Sequence, residues 1–126
     1  MSAEENARVA RELSDAFEAM DMQRLDALVA DDVVWHEIGR SEPRHGKEAL
    51  RATAPGAGQA DFEIRGENHD VLASDDHAVV LVNATATRDG RMFTYRTAEI
   101  YHIRDGQVVE RWAFSDDTAA IKDFFA

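Results

Sequence analysis

Two Asp-Gly pairs, Asp89-Gly90 and Asp105-Gly106, sit between runs of strand-forming residues and constrain this chain more than any other feature. Asp-Gly favours a type I′ turn, which needs positive φ at both central residues and joins antiparallel strands through a two-residue loop. The segment from Val79 to Phe114 therefore reads as a three-stranded meander of defined register. Its first hairpin pairs Val80 with Glu99, Val82 with Thr97, Ala84 with Tyr95 and Ala86 with Phe93. Its second pairs Glu99 with Trp112, Thr97 with Phe114, Tyr101 with Glu110 and Ile103 with Val108. One face then collects Val80, Val82, Ala84, Ala86, Phe93, Tyr95, Thr97, Glu99, Tyr101, Trp112 and Phe114, while Arg96 and Arg111 fall on the other. Glu99 is thereby expected on an apolar, aromatic surface. A carboxylate there is several kcal/mol unfavourable unless paired or protonated, and such groups often mark functional pockets.

Composition excludes several classes of function. The chain has 126 residues, 25 acidic against 14 basic, and a net charge of −11. That balance argues against a phosphate-backbone partner, which needs clustered Lys and Arg. No run of about 18 apolar residues is present, so no membrane span is expected. The amino terminus, MSAEENARVARELSDAF, is acidic and amphipathic rather than a basic segment followed by an apolar one, unlike a secretory signal. Cysteine is absent, which removes thiolate chemistry and fits the cytoplasm.

The remaining elements follow from periodicity and caps. Val9, Leu13, Ala16, Phe17 and Met20 have helical spacing between Ala3 and about Asp21. Asp21 caps a second helix with Leu25, Leu28 and Val29 as its apolar stripe, ending near Ala30. Asp31-Asp32 is read as a break, VVWHEI as a strand stopping at Gly39, and the stretch to Gly46 as loop. Lys47 to Thr53 reads as a short helix ending before Ala54-Pro55, followed by a GAGQ linker. An alternating strand runs from Phe62 to Leu72, Ser74-Asp75-Asp76 turns into the two hairpins, and Ser115-Asp116-Asp117 caps a terminal helix. The whole chain, 1–126, is read as one α+β domain.

This order, with LVADDVVWHEIG, HGKEAL, ASDDHAVVLV, YRTAEIYHIRDGQVVERW and FSDD along it, resembles the NTF2-like superfamily, in particular its SnoaL-like and ketosteroid-isomerase-like small proteins. The resemblance covers nearly the whole chain. It implies a cone: a strongly bent, mainly antiparallel sheet wrapped around N-terminal helices, with an open-ended pocket. It also implies a homodimer formed through the outer side of the sheet. The superfamily includes isomerases, dehydratases, cyclases, epoxide hydrolases and non-catalytic domains, so fold does not set function.

Two residues are candidates for catalysis. Glu99 falls near where ketosteroid isomerases carry the acid that hydrogen-bonds the substrate oxyanion, a carboxylic acid kept neutral by its apolar site in the standard account of that enzyme. The alternatives are a Glu paired with an Arg, or one turned to solvent by a strand bulge. An unpaired Glu99 replaced by Gln would fold as well or better. Aligned on Gly39, His36 takes the place of the proton-shuttling carboxylate; counted from Asp31-Asp32, Glu37 does, and only one of the two can look into the cone. Histidine titrates near neutrality and suits acid–base work. Phe17 and Leu13 stand where ketosteroid isomerases place a tyrosine, which makes steroid isomerisation itself a poor fit, and the Asp–Arg–Asp grouping of limonene-type epoxide hydrolases is not evident. Phe17, Met20, Trp35, Val82, Tyr95, Trp112 and Phe114 are the expected substrate-binding residues.

No metal site is expected, since His36, His45, His69, His77 and His102 lack helical ligand spacing. The reading is a small-molecule pocket protein, acting without a cofactor as an acid–base enzyme of isomerase, cyclase or dehydratase type on a hydrophobic substrate. The alternative is a non-catalytic ligand-binding or dimerisation domain of the same fold.

Overall fold

In the computed structural model, which describes residues 2–48 and 62–125, nine elements follow one another. They are α1 (Ala3–Glu18), α2 (Met22–Leu28), β1 (Val29–Trp35), β2 (Arg44–His45), β3 (Phe62–Ala73), β4 (His77–Arg88), β5 (Arg91–Arg104), β6 (Gln107–Ser115) and α3 (Thr118–Phe125). The strands form one six-stranded sheet in the order β2-β1-β6-β5-β4-β3. β3 to β6 make an antiparallel meander, and β1 runs parallel to β6, which makes the sheet mixed. The architecture is α+β, as expected.

Local chemistry accounts for the elements. Ser2 caps α1 by accepting from the Glu5 amide, and Asp21 caps α2 by accepting from the Arg24 amide at 3.1 Å. Both Asp-Gly loops adopt the expected turn, with φ of 52° and 76° at Asp89 and Gly90 and of 53° and 79° at Asp105 and Gly106. The Asp117 carboxylate receives the Ala120 amide at 3.0 Å and starts α3.

Two expectations are corrected. Asp31-Asp32 does not break the chain: α2 ends at Leu28, and Val29 already opens β1, whose two aspartates face solvent. Helical spacing of Leu25, Leu28 and Val29 could not show this, because Val29 is buried equally well by strand pairing. Arg44-His45, read as loop, forms β2 against Val34 and Trp35. The helix expected over Lys47–Thr53 lies for the most part, and the GAGQ linker entirely, outside the described residues.

The core sits between α1 and the inner face of the sheet. Val9, Ala10, Leu13 and Ala16 of α1 pack with Leu25, Val33, Trp35, Val80, Tyr101, Ile103 and Val108. A buried polar residue fixes where α1 lies. The Asn6 amide nitrogen donates to the Ser74 and Asp75 carbonyls at 3.0 and 2.8 Å, pinning the helix to the β3–β4 turn. The Ser74 hydroxyl in turn accepts from the His77 amide at 3.1 Å.

Asn6→Ala is expected to lower stability by about 1–3 kcal/mol, since a buried side chain loses both hydrogen bonds that hold it to the turn. Chemical denaturation measures it, and an unchanged midpoint would show that the pin contributes nothing.

Candidate functional site

The first hairpin has the register the turn arithmetic requires: Val80, Val82, Ala84 and Ala86 lie opposite Glu99, Thr97, Tyr95 and Phe93. The second starts as expected, with Ile103 opposite Val108, and then slips. His102 faces Glu110, Tyr101 faces Arg111, Ile100 faces Trp112 and Glu99 faces Ala113. Val109 is the extra residue of a β-bulge, and everything after it in β6 changes face. Trp112 and Phe114, expected beside Glu99, therefore lie on the outer face, and Arg111, expected on the outer face, lies beside Glu99. The only hint in the sequence is the Val108-Val109 doublet, which interrupts the alternation.

Arg111 makes the inner-face site. Its Nη2 donates to Glu99 Oε1 at 2.9 Å, its Nη1 donates to the His36 carbonyl at 2.9 Å, and its guanidinium lies 4.8 Å from the centre of the Trp35 ring. The Tyr101 hydroxyl donates to the same Glu99 oxygen at 3.0 Å. Glu99 Oε1 is thus held twice, while Oε2 has no protein donor among the described residues. The pair is largely buried, with side-chain exposures of 12% for Arg111 and 21% for Glu99. Of the alternatives weighed for Glu99, pairing with an arginine is the one realised.

This cluster sets its own protonation. Burial pushes the Tyr101 phenol well above the ordinary tyrosine value, and the Glu99 charge adds to this. Burial disfavours the Arg111 charge, but Glu99 and the Tyr101 phenol outweigh it and raise the group further. Tyr95, four residues before Glu99 on the same face of β5, is raised by burial and then by the Glu99 charge. Both phenols are held as hydrogen-bond donors.

The other expected site residues divide between the two faces. Trp35 is buried and packs its ring on Phe17, with centroids 5.9 Å apart. Phe17 and Val82 are partly buried against the same core. His36 lies on the outer face. Its Nε2 is 2.8 Å from Glu110 Oε2, and its ring stacks on Trp112 at 5.6 Å, with 4° between the planes. It is therefore not presented to Glu99 across a common pocket. Glu37 pairs instead with Arg44 at 3.1 Å. Beside His36, a cleft of about 270 Å³ is lined by Glu37, Gly39, Arg40, Trp112, Phe114 and Thr118 among others. Met20, also expected to bind substrate, is exposed after α1, with φ of 56°. Among the described residues no group of His, Asp or Glu converges as metal ligands would, and no helix is long and apolar enough to cross a membrane.

Known proteins resemble this chain in sequence and fold. The family described as SnoaL-like domain matches residues 10–111. An NTF2-like protein of unknown function from Burkholderia pseudomallei superposes with a TM-score of 0.82 at 24% identity, covering 98% of this chain and 97% of its own. Bal32a, from a soil-derived mobile gene cassette, does so with a TM-score of 0.80 at 26% identity, covering 98% of both chains. IdmH from Streptomyces antibioticus, a proposed polyketide cyclase, has a TM-score of 0.76 at 23% identity over 96% of this chain and 99% of its own. No functionally curated protein matches the sequence.

With Arg111 in place, the expectation for Glu99→Gln reverses. The variant is expected to lose about 2–3 kcal/mol, because a largely buried guanidinium is left without its counter-charge, and Glu99→Gln with Arg111→Met is expected to recover most of that loss. Urea denaturation of the parent and both variants decides this; a single variant as stable as the parent would mean that the pair is energetically idle.

Proposed function

The chain belongs to the SnoaL-like domain family of the NTF2-like superfamily, and we propose that its inner sheet face binds a small hydrophobic substrate on which Glu99 performs acid–base chemistry without a cofactor. The observation that carries this reading is the asymmetry of the Glu99 carboxylate. Tyr101 and Arg111 hold Oε1, leaving Oε2 to meet a ligand. Val80 and Ala113 flank Glu99 across the two neighbouring strands, so apolar surface surrounds the polar atom. A carboxylate paired with a guanidinium is an acceptor, so the role assigned here is general base rather than neutral donor. Tyr95, held protonated, supplies a donor on the same face for an oxygen that gains charge as the proton leaves.

The reaction class is proton abstraction next to a carbonyl, followed by reprotonation elsewhere or by ring closure. The proposed cyclase activity of IdmH and the aromatic lining of Phe17, Trp35 and Tyr95 both support a carbonyl-bearing, ring-containing substrate. Exclusion of His36 from the inner face favours a second reading, in which the same face binds a ligand without turning it over. The cytoplasm, inferred from the lack of cysteine, belongs to the same proposal.

A bicyclic ketone such as 2-tetralone in deuterated buffer separates the two readings. The enzyme reading expects the wild-type chain to accelerate exchange of the α-protons, followed by proton NMR, and folded Glu99→Gln to lose about 100-fold or more of that rate. Binding of the ketone without faster exchange would support the second reading, and neither binding nor exchange would remove both.

The chain is also proposed to form a homodimer through the outer face, where Leu72 and Phe114 are large, exposed apolar groups beside Leu81 and Ile100. Leu72→Asp is expected to weaken that contact, and a light-scattering mass for the variant equal to that of the wild type would remove this surface from the interface.

A further inference from the structure

β3 is the last strand of the sheet, and every residue from Glu63 to Asp70 is exposed. Its free margin offers backbone N–H and C=O groups with no strand beside them among the described residues. Such an edge either repels another strand or is built to accept one.

The side chains of β3 favour acceptance of one particular strand. Glu63, Arg65 and Glu67 share the outer face, opposite Thr87, Thr85 and Asn83 of β4, and their charges alternate. Laying a second copy of β3 antiparallel against this edge, with the two Gly66 residues opposed, sets Arg65 of each copy against Glu67 of the other. Two-fold symmetry repeats that match. Sliding the strands by two residues in either direction sets Arg65 against Arg65, or Glu67 against Glu67. Unlike charges facing each other across a strand pair stabilise it and like charges oppose it, so the strand's own pattern selects one register and rejects its neighbours.

Two further features fit this pairing. Arg65 uses Nε to hold Glu63 at 3.0 Å, and its two terminal nitrogens have no partner among the described residues. They are free to meet a carboxylate across the edge. The pairing of β3 with β4 is regular from Glu63 to Asn68 and shifts at His69. A bulge there bends the strand and ends the straight segment, which confines the contact to the residues whose charges match.

We propose that β3 pairs edge to edge with β3 of a second copy of this chain, antiparallel about Gly66, joining two six-stranded sheets into one. The contact is isologous, is independent of the pocket reading, and uses a different surface from the outer-face dimer.

Light scattering on the full chain at micromolar concentration tests it with Arg65→Glu, Glu67→Arg and the double reversal, each checked for native circular dichroism. Each single reversal is expected to halve the mass found for the wild type, and the double reversal, which restores unlike charges in the same register, to return it. Single reversals with the wild-type mass, a double reversal that stays dissociated, or a wild-type chain already monomeric would overturn the proposal. Leu72→Asp acts on the other surface, so loss of the outer-face contact and loss of the edge contact are read separately.

Discussion

One guanidinium ties together the part of the sheet that has least else to hold it. β1 meets β6 through the only parallel pairing among the described residues, and that pairing is interrupted between Val29 and Val34. Arg111 spans the joint: from β6 it reaches Glu99 on β5, the carbonyl of His36 at the end of β1, and the ring of Trp35 within β1. A charge so largely buried is tolerable only with a counter-charge, which Glu99 supplies; Nη1 and Nη2 are bonded, while the buried Nε has no partner among the described residues. The carboxylate, the phenol of Tyr101 and the indole of Trp35 are therefore conditions for one another. The bulge at Val109 brings Arg111 into this position, so a single extra residue in β6 decides whether the inner face carries an isolated acid or a balanced pair.

Much of the fold was legible because local chemistry and global architecture agree. Asp-Gly demands a particular turn, the turn sets the first register, and both turns have the required backbone angles. The site was only half legible, for a physical reason. Strand alternation has a period of two, so one unmatched residue reverses every later assignment. Glu110 and Trp112 would have pointed inward without the bulge; Arg111 and Ala113 do so with it. Either pattern places one charged residue inside, and composition cannot choose between them. Asn6 was hidden differently, since a polar residue on an amphipathic helix reads as solvent-facing until its partners, the carbonyls of Ser74 and Asp75, are known.

The two faces of the sheet now have distinct chemical characters. The inner one combines an acceptor carboxylate with phenols held as donors, set among aliphatic and aromatic groups. The outer one carries His36 against Glu110 and Trp112, with Phe114 nearby and Leu72 exposed on the far strand β3. Two groups that sequence order suggested as partners are thus divided by the thickness of the sheet. Within a superfamily whose members differ widely in chemistry, that division leaves Glu99 and its immediate neighbours as the ionisable groups of the inner face.

The link between Asn6 and the β3–β4 turn bears on how the chain is made. Its acceptors lie 68 and 69 positions further along, so α1 has no final seat until the middle of the sheet exists. Its apolar stripe of Val9, Leu13 and Ala16 meets Leu25 of α2 locally, but the rest of its cover, Val80, Tyr101 and Val108, comes from the distant sheet. Closing so long a loop carries an entropic cost that a local helix contact does not, and folding dominated by such distant contacts is slow. The seat of α1 thus depends on the β3–β4 turn far along the chain rather than on its own neighbours in sequence.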